Sequence, residues 1–191
     1  GDDVWFAHGI EFADDEIARL AATSTGVAHC PTSNARLGNR ICRTRELVDA
    51  GVPVGLGVDG AASNESARLL EEAHQAVLMA RARGGPTALT TRTAIELATL
   101  GGARVLGRDK EIGSIEVGKL ADLVLWDLSG PAHAGIDDPV AALVLGAIPP
   151  IRGTWVGGRR IVTDNDLVTA DLDAVAADCA AEHRRLLDKA G

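Results

Sequence analysis

The chain has 191 residues, 46% of them hydrophobic and 24% charged, with a formal net charge of −8. That is the composition of a globular protein with a core of its own, and no apolar run approaches the ~18 residues that a membrane helix needs. Scattered basic residues, the absence of tyrosine and an aromatic content of 3% exclude the basic footprint and stacking surface of a nucleic-acid binder.

Gly1-Asp2-Asp3 carries neither a basic region nor an apolar signal core, so a cytoplasmic location is expected. Three short apolar runs follow, each ending in one polar residue. They are Val4-Trp5-Phe6-Ala7 ending at His8, Gly26-Val27-Ala28 ending at His29, and Val52 through Val58 ending at Asp59. Between the first two, residues 14–21 open with acidic residues and space Ile17, Leu20 and Ala21 for a surface helix. Between the second and third, residues 43–50 form another helix, closed by Gly51. Residues 31–34, Pro-Thr-Ser-Asn, read as a loop with turn chemistry of its own.

Alternation of strand and helix predicts a parallel sheet. The polar run ends lie 21 and 30 residues apart, close to the roughly 30 residues that a (β/α)8 barrel spends on each unit. In such a barrel the active site lies at the C-terminal ends of the strands, where His8, His29 and Asp59 would stand. A long helix is expected over 66–83 with Leu69, Ala73, Ala76, Val77 and Ala80 on one face, stopped by Gly84-Gly85-Pro86. Thr90 or Thr91 caps a further helix that Gly101-Gly102 interrupts.

Beyond residue 110 the texture changes. Residues 112–119 are a glycine-punctuated turn region, and 121–127, 151–156, 160–163 and 167–168 read as strands, with Gly157-Gly158 as a hairpin turn. A closing helix over 171–189 spaces Leu172, Val175, Ala176, Cys179 and Ala180 for burial. The expected fold class is α/β: the C-terminal part of a TIM-type barrel, about three β/α units, plus part of a small β-sandwich domain and a C-terminal helix. The expected boundaries are 1–110, 111–170 and 171–191. Three units cannot close a barrel without exposed parallel edges, so the chain is expected to be the C-terminal part of a longer protein.

Asp59 follows a buried strand and lies near Gly57 and Gly60, which suits either a carboxylate presented into a cleft or a turn aspartate. His8 gains weight from its place beside Asp59 in a barrel. His74, His133 and His183 read as structural or solvent-facing. Cys30, Cys42 and Cys179 form no C-x-x-C pair and read as reduced, inert thiols. No dinucleotide fingerprint, Walker loop, Gly-x-Ser-x-Gly elbow or His-Glu-x-x-His helix is present.

Taken together, Ala7-His8 with Asp14-Asp15-Glu16-Ile17, Val27 to Asn34 with Arg36-Leu37-Gly38, Gly57 to Asn64, and Ile112 to Val124 resemble the C-terminal half of the amidohydrolase superfamily. The similarity is to the branch of purine deaminases and triazine hydrolases. Gly55 to Asp59, Ala98 to Ala103 and Asp138 to Val144 look most like the 8-oxoguanine deaminases, which hydrolyse the exocyclic amine of oxidised guanine to give urate and ammonia. The resemblance implies that Asp59 is the strand-eight ligand of one divalent metal, zinc or iron, and also handles a proton. It implies that His8 ends strand six and contacts the attacking water or the developing oxyanion, and that Ser63 and His29 line the substrate pocket. A small heterocyclic substrate, no nucleic-acid or membrane partner, and a homo-oligomer when full length go with it. That branch also uses a His-x-His pair and a glutamate beside a strand-five histidine, which this sequence lacks. A triazine or an S-adenosylhomocysteine- or methylthioadenosine-like substrate on the same scaffold is the alternative, and a non-catalytic domain is the alternative of another class.

Overall fold

A computed structural model describes residues 1–191. The chain forms two compact units, Gly1–Lys119 with Leu128–Ile148, and Leu120–Asp127 with Pro149–Gly191. This division does not coincide with the expected limits at 110 and 170, and local contacts hold the turn region after 110 to the first unit. Gly113 sits so tightly on the preceding helix that an added Cβ would lie 2.7 Å from Ala103 Cβ. Lys119 Nζ donates to the Asp109 carbonyl at 2.5 Å, closing the turn region back on itself.

In the first unit, β1 (Trp5–Ala7), β2 (Gly26–His29) and β3 (Val54–Leu56) form a parallel sheet in that order. Phe6 stands beside Val27, and Val27 beside Val54, so the strand ends are aligned. Helix α1 (Asp14–Ala22) buries Ile17 and Leu20, and its Glu16 carboxylate accepts the Ala13 N–H at 2.7 Å. A carboxylate there also opposes the positive end of the helix dipole. The loop expected after β2 is instead a short helix, α2 (Pro31–Arg36), with Pro31 at its first position. Proline is suited to that place because its fixed φ is helical and the missing N–H is an orphan there. Helix α3 (Thr44–Asp49) ends at Gly51, whose φ of +81° allows Val52 N–H to bond back to Leu47 O.

Helix α4 (Leu69–Gly84) begins three residues later than expected, because Ala67 turns into the left-handed region at φ +48°. Its inward face is the expected one, burying Ala73, Ala76, Val77 and Ala80, but it also buries Glu72. Helix α5 (Thr91–Glu96), capped by Thr90, runs on through a π turn (Leu97–Gly101) into α6 (Gly102–Val105). Gly101-Gly102 therefore does not interrupt the helix. The pair is there for contact: a Cβ on Gly101 would lie 2.3 Å from Val54 O, and one on Gly55 would lie 2.7 Å from Gly102 Cα. Helix α7 (Pro139–Leu145) completes this unit, and His74 Nδ1 bonds its Val144 carbonyl at 2.8 Å. The core joins Val27, Val54 and Leu56 of the sheet to Ile17, Leu47, Val77 and Leu89.

The second unit is an antiparallel sheet of β4 (Leu123–Trp126), β5 (Ile151–Val156), β6 (Arg159–Thr163) and β7 (Asp166–Leu167) in sequential order. Gly157 and Gly158 make the β5–β6 turn with φ of +55° and +78°, as the Gly-Gly pair predicts. Helix α8 (Leu172–Ala190) has no buried residue, so the burial expected for Leu172, Val175 and Cys179 is not found. It is a helix because Asp171 caps it, accepting from Asp173 and Ala174 N–H, and because alanine favours helix without packing. No helix of the chain is long and apolar enough to cross a membrane.

Candidate active site

Immediately after β1, His8 donates its backbone N–H to Ala28 O at 2.8 Å, and after β3, Gly57 donates to His29 O at 2.9 Å. The sheet ladder thus reaches His8 and His29 and ends at Gly57, two residues before Asp59. Both His8 and Asp59 take up left-handed φ, +69° and +62°. Residues other than glycine hold that conformation at a cost on the order of 1 kcal/mol or more, and such sites cluster where function demands a particular side-chain direction. The two turns bring His8 Nε2 to 3.8 Å from Asp59 Oδ2, with each side chain about one-third exposed.

Helix α2 supplies the partners of both. Ser33 Oγ donates to Asp59 Oδ2 at 2.5 Å, while Asn34 Oδ1 lies 2.8 Å from His8 Nδ1. With Asn34 Oδ1 as acceptor, His8 carries its proton on Nδ1, and Nε2, which faces Asp59, is left to accept one. From the other side Ser63 Oγ donates to the same Asp59 oxygen at 3.1 Å. The Ser33 hydroxyl first, then the Gly60 backbone N–H and the Ser63 hydroxyl, hold the Asp59 carboxyl below its ordinary pKa. Hydrogen bonds to the charged form have this effect. The arrangement is a fixed carboxylate beside an imidazole that can take and return a proton.

His29 is placed differently. It shares a strand face with Val27, is 2% exposed, and neither ring nitrogen has a hydrogen-bond partner. Burial, with His8 nearby, lowers its pKa to about 4, so it is a neutral imidazole. At that exposure it offers no surface to a ligand, although the sequence reading placed it in the pocket wall. Cys30 is also buried, and desolvation followed by the Asp59 charge pushes its thiol up to about 11, far from a reactive thiolate. His133 is buried and bonds the Ala147 carbonyl, a structural role like that of His74.

Ser33 and Asn34 are the residues that the sequence reading missed as partners of the site. Pro31 was the available signal, since a proline followed by Thr-Ser-Asn can open a helix as well as form a turn.

Carboxylate and imidazole are both ligands that zinc accepts, and an exposed Asp59 held by two hydroxyls fits a single metal ligand. The chain has no cluster of three His, Cys, Asp or Glu side chains able to hold an ion. A catalytic zinc normally takes three protein ligands, so Asp59 and its neighbours fit one side of a metal site and not the whole of it.

The sequence model of the Amidohydrolase family matches residues 1–162, and the chain belongs to that family. It is 41% identical over 203 residues to an isoxanthopterin deaminase from an unknown prokaryotic organism, a match covering 98% of this chain and 42% of that protein. It is 45% identical over 177 residues to the 8-oxoguanine deaminase of Pseudomonas aeruginosa, covering 93% of this chain and 39% of that one. Among solved structures, an adenosine deaminase from Xanthomonas campestris with bound zinc superposes with a TM-score of 0.94 at 32% identity, covering 98% of this chain and 43% of its own. The chain therefore spans well under half the length of these relatives.

Proposed function

We propose that the complete protein is a metal-dependent aminohydrolase that removes the exocyclic amine of a bicyclic, purine-type base, with 8-oxoguanine as the preferred substrate. Residues 1–110 are then the last three β/α units of a (β/α)8 barrel. The observation that carries this reading is the His8–Asp59 pair at 3.8 Å, set on the ends of parallel strands and braced by two hydroxyls. Its support in kind comes from the relatives, a pterin deaminase and a purine deaminase.

Hydrolytic deamination replaces the ring C–NH2 by C–OH, which tautomerises to the carbonyl, and one proton of the water leaves on ammonia. A divalent metal, zinc or iron, bound on one side by Asp59, would supply the Lewis acid that lowers the pKa of a water from about 15.7 to about 7. The Asp59 carboxylate accepts a proton as the water attacks. That proton passes on to the departing amine, which leaves as ammonia, while His8 hydrogen-bonds through Nε2 to the remaining O–H of the attacking water and holds that oxygen in place. Ser63, on the exposed side of Asp59, is the hydroxyl we assign to the substrate pocket, while buried His29 backs the strand end. Carbonyl-rich substrates such as oxidised guanine suit a site whose polar groups are hydroxyls and an imidazole.

The match with the isoxanthopterin deaminase extends over 98% of the chain and favours a pterin as the second substrate. The discriminating experiment is ammonia release from the complete enzyme offered 8-oxoguanine, isoxanthopterin, guanine, S-adenosylhomocysteine and a chlorotriazine. Turnover of 8-oxoguanine at a kcat/KM at least 10-fold above the others is expected. Ammonia release from none of the purines or pterins would overturn the deaminase reading.

A further inference from the structure

Glu72 is a carboxylate with no exposed surface, in the first turn of α4, on the helix face that is buried. An acid buried to that degree is rare unless its oxygens are matched by donors. Here each oxygen has one, and the two donors come from different parts of the chain. Oε2 accepts the backbone N–H of Thr32 at 3.0 Å, and Oε1 accepts the side-chain N–H of Asn64 at 2.7 Å. Thr32 is the residue before Ser33, and Asn64 the residue after Ser63. Those two serines are the hydroxyls that donate to Asp59. Asn64 also donates to Val58 O at 2.9 Å, the carbonyl that precedes Asp59. One carboxylate therefore clamps α2, which carries Ser33 and Asn34, against the loop that carries Asp59 and Ser63.

We propose that Glu72 is a positioning residue that sets the spacing of the Ser33 and Ser63 hydroxyls about Asp59, and through Asn34 the aim of His8, acting on metal affinity and turnover without touching either metal or substrate. This rests on the metal-dependent reading above. The chemistry requires an acceptor on both sides of residue 72. A glutamine there is the same shape but offers one acceptor and one amide N–H, so either Thr32 or Asn64 would face another donor. The mismatch would spread the two segments that the glutamate holds together, and groups that orient a ligand typically change metal affinity or activity by about 10- to 100-fold when removed.

The test is Glu72→Gln in the complete enzyme, with zinc dissociation constants from chelator competition, kcat and KM measured separately, and backbone hydrogen exchange over 31–36 and 58–64. Zinc affinity and kcat are each expected to fall about 10-fold or more, with KM within about 3-fold of wild type and faster exchange confined to those two segments. Asn64→Ala removes the partner on the loop side and is expected to give the same loss, so the proposal remains open to test should Glu72→Gln fail to fold. Folded variants with zinc affinity and kcat within 2-fold of wild type would reduce Glu72 to a brace of the fold and overturn the proposal. A wild-type protein that binds no zinc or iron would instead sink the metal-dependent reading itself, which separates the two failures.

Discussion

At the scale of single residues, His29 is the group whose chemistry most depends on the fold. An imidazole with a folded-state pKa of about 4 against an ordinary 6.5 binds fewer protons folded than unfolded between those values. Its contribution is thus fully present above about pH 6.5 and is lost as pH falls toward 4. The gap corresponds to about 3 kcal/mol. Urea unfolding of wild type and of His29→Gln at pH 7 and pH 5 isolates it: wild type should lose more stability on acidification than the variant. An equal loss in both would mean that His29 is not held neutral by burial. Asp59 is the opposite case, a carboxyl held down by its donors and kept charged across the neutral range. Asp59 and His8 stand out in the sequence because each ends an apolar run, and the structure does bring them together. Ser33 and Asn34 do not stand out, because their partners Asp59 and His8 each lie 26 positions away, and Glu72 does not because one of its two partners, Thr32, lies 40 positions away.

At the scale of elements, local rules fail where one residue type serves two purposes. Pro-Thr-Ser-Asn opens helix α2, although the same residues favour turns. Gly101-Gly102 reads as a helix stop, yet the helix continues and the glycines admit β3 at close range. Alternating strands and helices over the first 60 residues, by contrast, are set by apolar periodicity and by Gly51, and those strands form as expected. The close approach has a measurable consequence. Gly101→Ala would place a Cβ 2.3 Å from Val54 O, against backbone that cannot step aside. A destabilisation of about 1–3 kcal/mol is expected, seen as a lower Tm. Gly130→Ala, with nothing within 4 Å of its Cβ and φ of −72°, is the control that should leave Tm unchanged. Equal Tm for both variants would contradict the contact role of Gly101.

At the scale of the whole molecule, the fold explains why the site is recognisable yet partial. Three parallel strands align His8 and Asp59 at one end of a sheet, and the chain spans 42% and 39% of the length of the two deaminases that it matches. β1 is an edge strand of that sheet, and its Trp5 and Phe6 are each 47% exposed. The proposed function requires Asp59 to be a metal ligand and not a turn residue. The most direct measurement is the zinc and iron content of the complete enzyme before and after Asp59→Asn, with circular dichroism to confirm the fold. Loss of bound metal together with loss of ammonia release, in a protein that remains folded, is the result predicted. Unchanged metal content in the folded variant would contradict it.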